Sequence, residues 1–473
     1  MNRVSVSNGV LIDEPRPFKL EEVFFSTTDV KGRIIAGNDV FVRISGYSQS
    51  ELTGQAHSII RHPDMPRGVF RLLWDYIQSG RSIAAYVKNL AKDGRYYWVM
   101  ALVSANSGGY LSVRFKPTSP LLDKVEKLYK EMLAVEREIE SQGNGDKEKA
   151  ITASQCLLLE TLKKLGFQNY EEFMRIAFLA EIREREKVMA KSTPSGSNAS
   201  QTPELERLSI SDFSRSCEDT GVAANQLFRH MDKITSIENV VGSIEKYITD
   251  SAVTMKFLSL NASIESTILG SSAGSVTTVT EWLNISLKEA LAETSTLSHL
   301  FVRVVGDLRS AMFELGCAKL QVEIIKSYLD SVSGLSDSSE VASRDDILNL
   351  IRDLCATMVE KMNHAFKRLE LLPEASSQLL KGLALIDKQQ STLRFLNVAG
   401  KVEIARIANR KSLSDVFDQV GRLIERTNNE LLMLQQAVND MQNVMIFSVK
   451  PQQTVARAVE KMTLLSHSLV GLA

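Results

Sequence analysis

Two patterns of apolar residues divide the chain. Over residues 21–119, apolar positions come in short runs bounded by turn residues. Val23–Thr27, the turn Asp29–Arg33 and Ile34–Gly37 predict a β-hairpin, with Gly32 supplying its special backbone angles. Asn38 to Gly46 reads as short helical turns. Met65 to Gly80 predicts a helix that starts at Pro63 and Pro66, with Gly80 just past its end. Val69, Leu72, Leu73, Tyr76 and Ile77 form its apolar face. Three strands follow, at Ser82–Leu90, Arg95–Ser104 and Gly109–Lys116. Turns at Lys92-Asp93-Gly94 and Ser107-Gly108-Gly109 join them.

After Pro120 the pattern becomes helical. Leu121, Val125, Leu128, Met132, Val135 and Ile139 are spaced 4, 3, 4, 3, 4, which is a heptad seam of about three repeats. So narrow a seam favours a parallel two-stranded coil over one helix packed against its own domain or the next helix. Residues 142–146 break it. Helices are expected near Lys147–Leu165 and Tyr170–Ala190. The run Glu181–Lys187 in the second reads as a solvated face laced with i,i+4 pairs. Residues 191–203 are rich in Ser, Thr and Pro and have the composition of a flexible linker. Beyond residue 205 the only prolines are Pro373 and Pro451, so long helices are expected.

A shift of 138 residues aligns Cys217 with Cys355, Asn225 with Asn363 and Phe228 with Phe366. The same shift carries Met255–Leu258 onto Leu393–Leu396 and Ile264-Glu265 onto Val402-Glu403. Two tandem helical units, 205–335 and 340–473, explain this, and so would chance alignment of two Leu/Ala/Glu-rich helices. The expected organisation is therefore a tail (1–20), a compact α+β domain (21–119) and a coiled-coil helix (120–142). A helical connector (146–190), a linker (191–204) and a helical bundle (205–473) complete it.

Composition sharpens this division. Residues 1–119 hold 14 of the 31 aromatics, 10 of the 25 Gly and 5 of the 10 Pro. The front quarter can line a ligand slot, and the remainder is suited to relay and binding. A net charge of −1 argues against nucleic-acid binding. The four cysteines form no CxxC pair, so a zinc site or disulfide scaffold is not indicated and a reducing, cytoplasmic compartment fits. The N-terminus lacks the apolar stretch of a secretory signal, and nowhere do about 18 apolar residues run together. No Walker loop, nucleophile elbow, HExxH or dinucleotide fingerprint occurs, so an enzyme is not expected. His230 and His364 lie in helical contexts without a catalytic ATP domain, and read as surface residues.

Several separated motifs then recur in order. Gly37-Asn38-Asp39-Val40-Phe41, Ser45-Gly46-Tyr47 and Glu51-Leu52 resemble the start of a PAS sensor domain. Ile60-Arg61-His62-Pro63-Asp64-Met65-Pro66, Val87-Lys88-Asn89, Lys92-Asp93-Gly94 and Tyr97-Trp98-Val99 resemble the flavin-binding PAS domain of aerotaxis receptors. The resemblance implies a five-stranded antiparallel sheet with short helices, followed by a mainly helical bundle and coiled-coil region. It also implies non-covalent FAD, sensing redox state or oxygen. Asn38, Arg61, His62, Asp64 and Asn89 would be flavin contacts or pocket formers, and Trp74 and Trp98 the aromatic walls. Ile83 stands where that family carries tryptophan. A simpler reading makes Arg61–Asp64 a helix entry, with Asp64 capping the helix and pairing with Arg61. Haem held by His57 and His62 is a further alternative.

Leu258-Ser259-Leu260-Asn261-Ala262-Ser263-Ile264-Glu265-Ser266 resembles the hairpin segment of chemoreceptor (methyl-accepting) signalling domains. Val402-Glu403-Ile404-Ala405-Arg406 resembles the same core. Ile268 and Ala399 replace the arginine and asparagine of that pattern. The resemblance implies a homodimer, formed through PAS domain and coiled coil, and a histidine kinase with its coupling protein as partners. The whole reads as a cytoplasmic signal transducer of the chemotaxis or aerotaxis type. Its alternative is a scaffold or localisation protein with no cofactor.

Overall fold

A computed structural model describes residues 11–106, 108–141, 146–189, 212–226, 274–333, 341–406 and 411–470, with scattered positions over 250–268. The linker over 191–203 and much of the first receptor-like segment, including Ser259, Ala262, Glu265 and Ser266, lie outside the described residues, as do Phe228 and His230. The chain divides into two compact units. One comprises Met1–Val222, Met312–His364 and Thr454–Ala473, and the other Ala223–Ala311 and Ala365–Gln453.

The first unit is built on a six-stranded sheet. Its strands are β1 (Ile12–Pro15), β2 (Val23–Asp29), β3 (Ile34–Gly37), β4 (Ile83–Leu90), β5 (Arg95–Asn106) and β6 (Gly109–Phe115). Across the sheet the order is β3-β2-β6-β5-β4, all antiparallel. The expected five strands are all present. The short β1 is an addition, pairing in parallel with the first residues of β5, Ile12 opposite Arg95. Its Ile-Asp-Glu-Pro has no alternation to reveal it.

Local chemistry closes the turns. In the β2–β3 hairpin, Gly32 takes φ +75°, and Asp29 Oδ1 accepts from the N–H groups of Lys31 and Arg33, each at 2.8 Å. Between β3 and β4 lie α1 (Asp39–Ser45), α2 (Gln49–Leu52), a 3-10 turn (His57–Ile60) and α3 (Arg67–Gln78). A capping box of Ser48 and Glu51 starts α2.

Strand alternation gives the sheet two different faces. Phe24, Ser26, Tyr97 and Arg114 point inward to α1 and the 3-10 turn. Phe25, Trp98 and Phe115 point outward and are covered by helices α4 (Leu121–Ser141), α6 (Tyr170–Met189) and the part of α8 (Gly274–Ser333) beyond Met312. Phe25 meets Tyr328 at 4.8 Å between ring centroids, Phe115 meets Phe178 at 6.2 Å, and Phe178 meets Phe313 at 5.1 Å. Each such buried ring contributes roughly 1.5–3 kcal/mol. A stretch of the long helical region, 312–364, thus shares a unit with the sheet.

The heptad seam of α4 is buried in part, with Leu121, Val135 and Ile139 half-exposed. Val125, Leu128 and Met132 are buried, and α4 runs along α5 (Lys147–Lys164), which buries Ala150, Ser154, Leu158 and Leu162. The charged run on α6 departs from expectation. Glu181 and Arg185 are buried, while Glu184 and Lys187 pair on the outer side. Burial is possible because both inward groups are saturated. Arg185 donates to the carbonyls of Leu20 and Glu21 and pairs with Glu323 at 2.8 Å.

Helix α7 occupies 212–226. Beyond α8 come α9 (Val341–Glu370), α10 (Leu372–Ile404) and α11 (Lys411–Val470). In the second unit, α8, α10, α11 and the helical positions over 250–268 enclose one core, including Leu258, Leu283, Leu287, Leu393, Phe417 and Leu423. Leu379, Leu383, Ile386, Gln390, Leu393, Asn397, Gly400 and Ile404 of α10 face inward at heptad spacing. Phe257, Leu260 and Ile264 are exposed, and so are their equivalents Phe395, Val398 and Val402, whereas Leu258 and Leu396 both join the core. No helix among the described residues is long and apolar enough to cross a membrane.

Candidate ligand site in the N-terminal domain

The inner face of the sheet holds a cation. Arg114, on β6, alternates with apolar residues in Leu-Ser-Val-Arg-Phe and therefore points inward, where it is 2% exposed. Its Nη2 donates to Ser26 Oγ at 3.0 Å and to His57 Nε2. Its guanidinium lies 5.4 Å from the centre of the Phe41 ring. Among the described residues no carboxylate pairs with it. Burial lowers its pKa to about 10, so it stays charged at neutral pH. His57 is held well below the usual histidine range by burial and by Arg114, and is neutral. Phe41 stacks between His57 and Phe24, with centroids 6.3 Å apart in each pair, and Tyr97 packs against Phe24 at 6.3 Å.

Three buried polar atoms on this side find no hydrogen-bond partner among the described residues: Arg114 Nη1, Tyr97 OH and Asn89 Nδ2. Tyr97 and Asn89 are cross-strand partners in β5 and β4, so their side chains leave the same face. All three can donate, and unmet donors in a protein interior cost about 1–3 kcal/mol each. Such an array suits a ligand with an edge rich in acceptors.

The Arg61–Asp64 segment lies beside β4, where Arg61 forms an isolated β-bridge with Asn89. Arg61 donates to the Met65 carbonyl at 3.1 Å and stacks over Phe70 at 4.0 Å. His62 is buried, and its Nδ1 accepts from the Asp64 N–H at 3.1 Å. Burial and the Lys88 charge push its pKa down to about 4. Asp64 is half-exposed and pairs with Lys88 at 2.9 Å, with Arg137 of α4 at 3.9 Å. Burial opposes its ionisation, but Lys88 outweighs that and lowers its pKa. Asp64 neither caps α3 nor pairs with Arg61. The first turn of α3 is capped instead by Glu136 of α4, which accepts from the N–H groups of Arg67 and Gly68, each at 2.9 Å.

The sheet order, the short helices on one face and the long α3 before β4 agree with a family pattern described as the PAS fold, which matches residues 34–108. The N-terminal domain is a PAS domain. Over 133 residues the chain is 36% identical to the aerotaxis receptor of Escherichia coli K12, covering 27% of this chain and 26% of the receptor. It thus spans about a quarter of that relative's length. Among solved structures, a light-oxygen-voltage domain studied with a flavin analogue is 20% identical, covering 22% of this chain and 83% of that one at a TM-score of 0.20. A PAS domain from Colwellia psychrerythraea is 21% identical, covering 20% and 85% at a TM-score of 0.18.

Within the PAS domain the expected site residues separate into groups. Asn89, Arg61 and His62 come together along β4. Asn38 is spent on structure: its Oδ1 accepts from the N–H groups of Phe41 and Phe25, and its Nδ2 donates to the Val23 carbonyl. Trp74, on α3, meets Tyr110 edge-on at 5.6 Å and closes over Gly32. Trp98 leaves the opposite face from Tyr97 and packs against Tyr129 of α4 at 6.2 Å. Sequence reasoning missed Arg114, Tyr97 and Ser26. The signal for Arg114 was a charged residue at an inward position of an otherwise apolar strand.

The residues fit a flavin's polar edge. An oxidised isoalloxazine presents carbonyl oxygens and ring nitrogens that accept, and the inner face presents donors that lack acceptors. Haem fits less well, because the lone pair of His57 Nε2 already accepts from Arg114.

Proposed function

We propose that this chain is a non-enzymatic sensory signal transducer of the cytoplasm, with a PAS domain that binds FAD and reports redox state or oxygen to its helical region. The observation that carries the reading is the set of unmet donors at Asn89, Tyr97 and Arg114. Bound flavin supplies reversible electron acceptance. The chain's residues do the rest: Asn89, Tyr97 and Arg114 hold the polar edge, and Phe24 and Phe41 supply apolar walls. Arg61 is joined to Asn89 by a backbone bridge, with its guanidinium on the Met65 carbonyl and the Phe70 ring.

Two links lead away from the site toward α4. Asp64 pairs with Arg137, and Glu136 grips the first turn of α3. A change in hydrogen bonding at Asn89 would alter the Arg61–Asp64 segment and shift α4 between two packings. The aerotaxis receptor similarity supports this reading for the PAS part. A homodimer and a histidine kinase with its coupling protein belong to the same proposal, and a pull-down with both proteins tests it.

The deciding experiment is an absorption spectrum of the purified full-length protein. A flavin spectrum that survives gel filtration supports the reading. Colourless protein that takes up no FAD when it is supplied overturns it. The second reading, a PAS scaffold without cofactor, is favoured by Asn38, whose side-chain hydrogen bonds are met within the chain, and by His62, whose Nδ1 already accepts from the Asp64 N–H.

A further inference from the structure

Two stretches of equal length make up the second unit, Ala223–Ala311 and Ala365–Gln453. The first holds the helical positions over 250–268 and the start of α8, and the second holds α10 and most of α11. Helices α8 and α11 are each 60 residues long and begin at Gly274 and Lys411, 137 positions apart. Under that shift their burial coincides. Leu283 and Val420, Leu287 and Ile424, Leu297 and Leu434, and Phe301 and Val438 are all buried, while Lys288 and Glu425 are both exposed. Two amphipathic helices in phase would agree this far through their period alone. The pairing of the arms is a stricter comparison. In the first stretch Asn284 donates to Ser263 Oγ at 2.9 Å. The corresponding residues of the second, Gly421 and Lys401, also face each other: a Cβ built on Gly421 lies 3.8 Å from Lys401 Nζ.

The two stretches share one core. Leu258, Leu283 and Leu287 enter it from the first, and Leu393, Val420 and Leu423 from the second. Polar contacts also cross between them. Ser275 donates to Glu403 Oε2 at 2.8 Å, and Arg368 pairs with Asp307 at 2.8 Å. A Cβ built on Gly382 of α10 would lie 2.8 Å from Leu297 Cδ1 of α8, so these helices approach closely.

We infer that the second unit is a pseudo-two-fold four-helix bundle closed within one chain. The apolar seam of each helical hairpin takes the other hairpin of the same molecule as its partner, and no second copy of the chain enters it. The physical reason is that one hairpin cannot bury its apolar face alone, so it must pair with another like it. The chain supplies that partner after a short tether, residues 334–340, between the end of α8 and the start of α9. Tethers of this kind give effective concentrations in about the millimolar range. At about micromolar protein, the in-chain partner is therefore favoured roughly a thousandfold. The rival arrangement is a swapped pair, in which the first hairpin of one molecule meets the second hairpin of another. The inference does not rest on the flavin reading. It leaves the homodimer proposed above to the first unit, so that the bundle stays closed in a single chain.

The test is cross-linking of the full-length protein with a short bis-maleimide. The background carries Cys156→Ser, because Cys156 is exposed and the other three cysteines are buried. Ser275→Cys with Glu403→Cys in one chain should give a linked 275–403 peptide from protein that runs at the mass of one chain. Dilution should not change its yield. A tagged chain carrying Ser275→Cys, co-expressed with an untagged chain carrying Glu403→Cys, should give no tagged–untagged product. Asp307→Cys with Arg368→Cys reads the same seam a second time, and it serves alone if the first pair folds poorly. Tagged–untagged products that outweigh the in-chain product, with either pair, place the two hairpins in different molecules and overturn the inference. Failure of both double variants to link in-chain overturns it as well.

Discussion

Glu136 and Gly68 are 68 positions apart in sequence, yet the carboxylate of one accepts the first-turn N–H of the other at 2.9 Å. The same carboxylate takes the N–H of Arg67 at 2.9 Å and the hydroxyl of Ser154 at 2.6 Å. Helix α3 has no side-chain cap of its own, because Pro66 stands at its N-cap. A glutamate on α4 therefore satisfies donors that a local Ser or Asp would normally satisfy. Glu136→Ala should cost about 1–3 kcal/mol, since it leaves those N–H groups buried and unmet. Urea denaturation followed by tryptophan fluorescence measures this. An unchanged midpoint would mean that α4 does not hold α3.

A second buried carboxyl ties α6 to the end of β6. Glu181 accepts from Tyr86 OH at 2.7 Å, Ser119 Oγ at 2.6 Å, Ser119 N at 2.9 Å and Thr118 N at 2.5 Å. Tyr86→Phe removes one donor and should cost about 1 kcal/mol. Glu181→Ala strands several and should cost about 3 kcal/mol. The two residues share a network, so the double variant should be less destabilised than the sum, by roughly 0.5 kcal/mol or more. Strict additivity in a double-mutant cycle would contradict the contact.

Acid should weaken the first unit through its histidines. Burial lowers the pKa of both His57 and His62, the latter to about 4. The folded chain holds both rings neutral, while the unfolded chain protonates them near 6.5. Between those values the unfolded state binds more protons, so stability falls as pH drops from 6.5 towards 4. Each ring adds at most about 1.4 kcal/mol per pH unit. Asp64, lowered by Lys88, acts at still lower pH, where its contribution is lost as it protonates. Denaturation midpoints across pH 4–6.5 for His57→Gln and His62→Gln should show a shallower slope than wild type. Equal slopes in all three proteins would place the titration elsewhere.

The strands and α3 were legible because turn chemistry and alternation act locally. Gly32 and Asp29 close their hairpin whatever surrounds them. The Arg61–Asp64 motif was legible as a motif but not as a geometry, since Asp64 turned out to serve Lys88 and Arg137. Nothing in a heptad tells which neighbour covers it, and α4 runs along α5 and meets the sheet through Tyr129. Glu136 and Glu181 looked like solvated charges because their donors, backbone N–H groups and the hydroxyls of Ser154, Tyr86 and Ser119, lie on other elements of the fold. The inward position of Arg114 followed from alternation alone, but that no carboxylate among the described residues pairs with it is a property of the packed interior.

In the second unit one contact is tighter than any side chain allows. A Cβ built on Gly400 would lie 1.9 Å from Cε1 of Phe417, which is fully buried in the bundle core. Gly400→Ala should gain a little from helix propensity yet lose about 1–3 kcal/mol by overpacking, for a net loss. Phe417→Ala should cost about 3–5 kcal/mol by opening a cavity. In the pair, the new methyl enters the space the ring left, so Gly400→Ala should become neutral or stabilising on the Phe417→Ala background. Phe395 is the control, because it is exposed on the same helix, and Phe395→Ser should change stability by no more than about 0.5 kcal/mol. Thermal unfolding of the four variants beside the wild type measures all of this. If Phe395→Ser is as damaging as Phe417→Ala, the outward stripe shared by Phe257 and Phe395 is buried by something, and its assignment as the exposed face of the bundle fails.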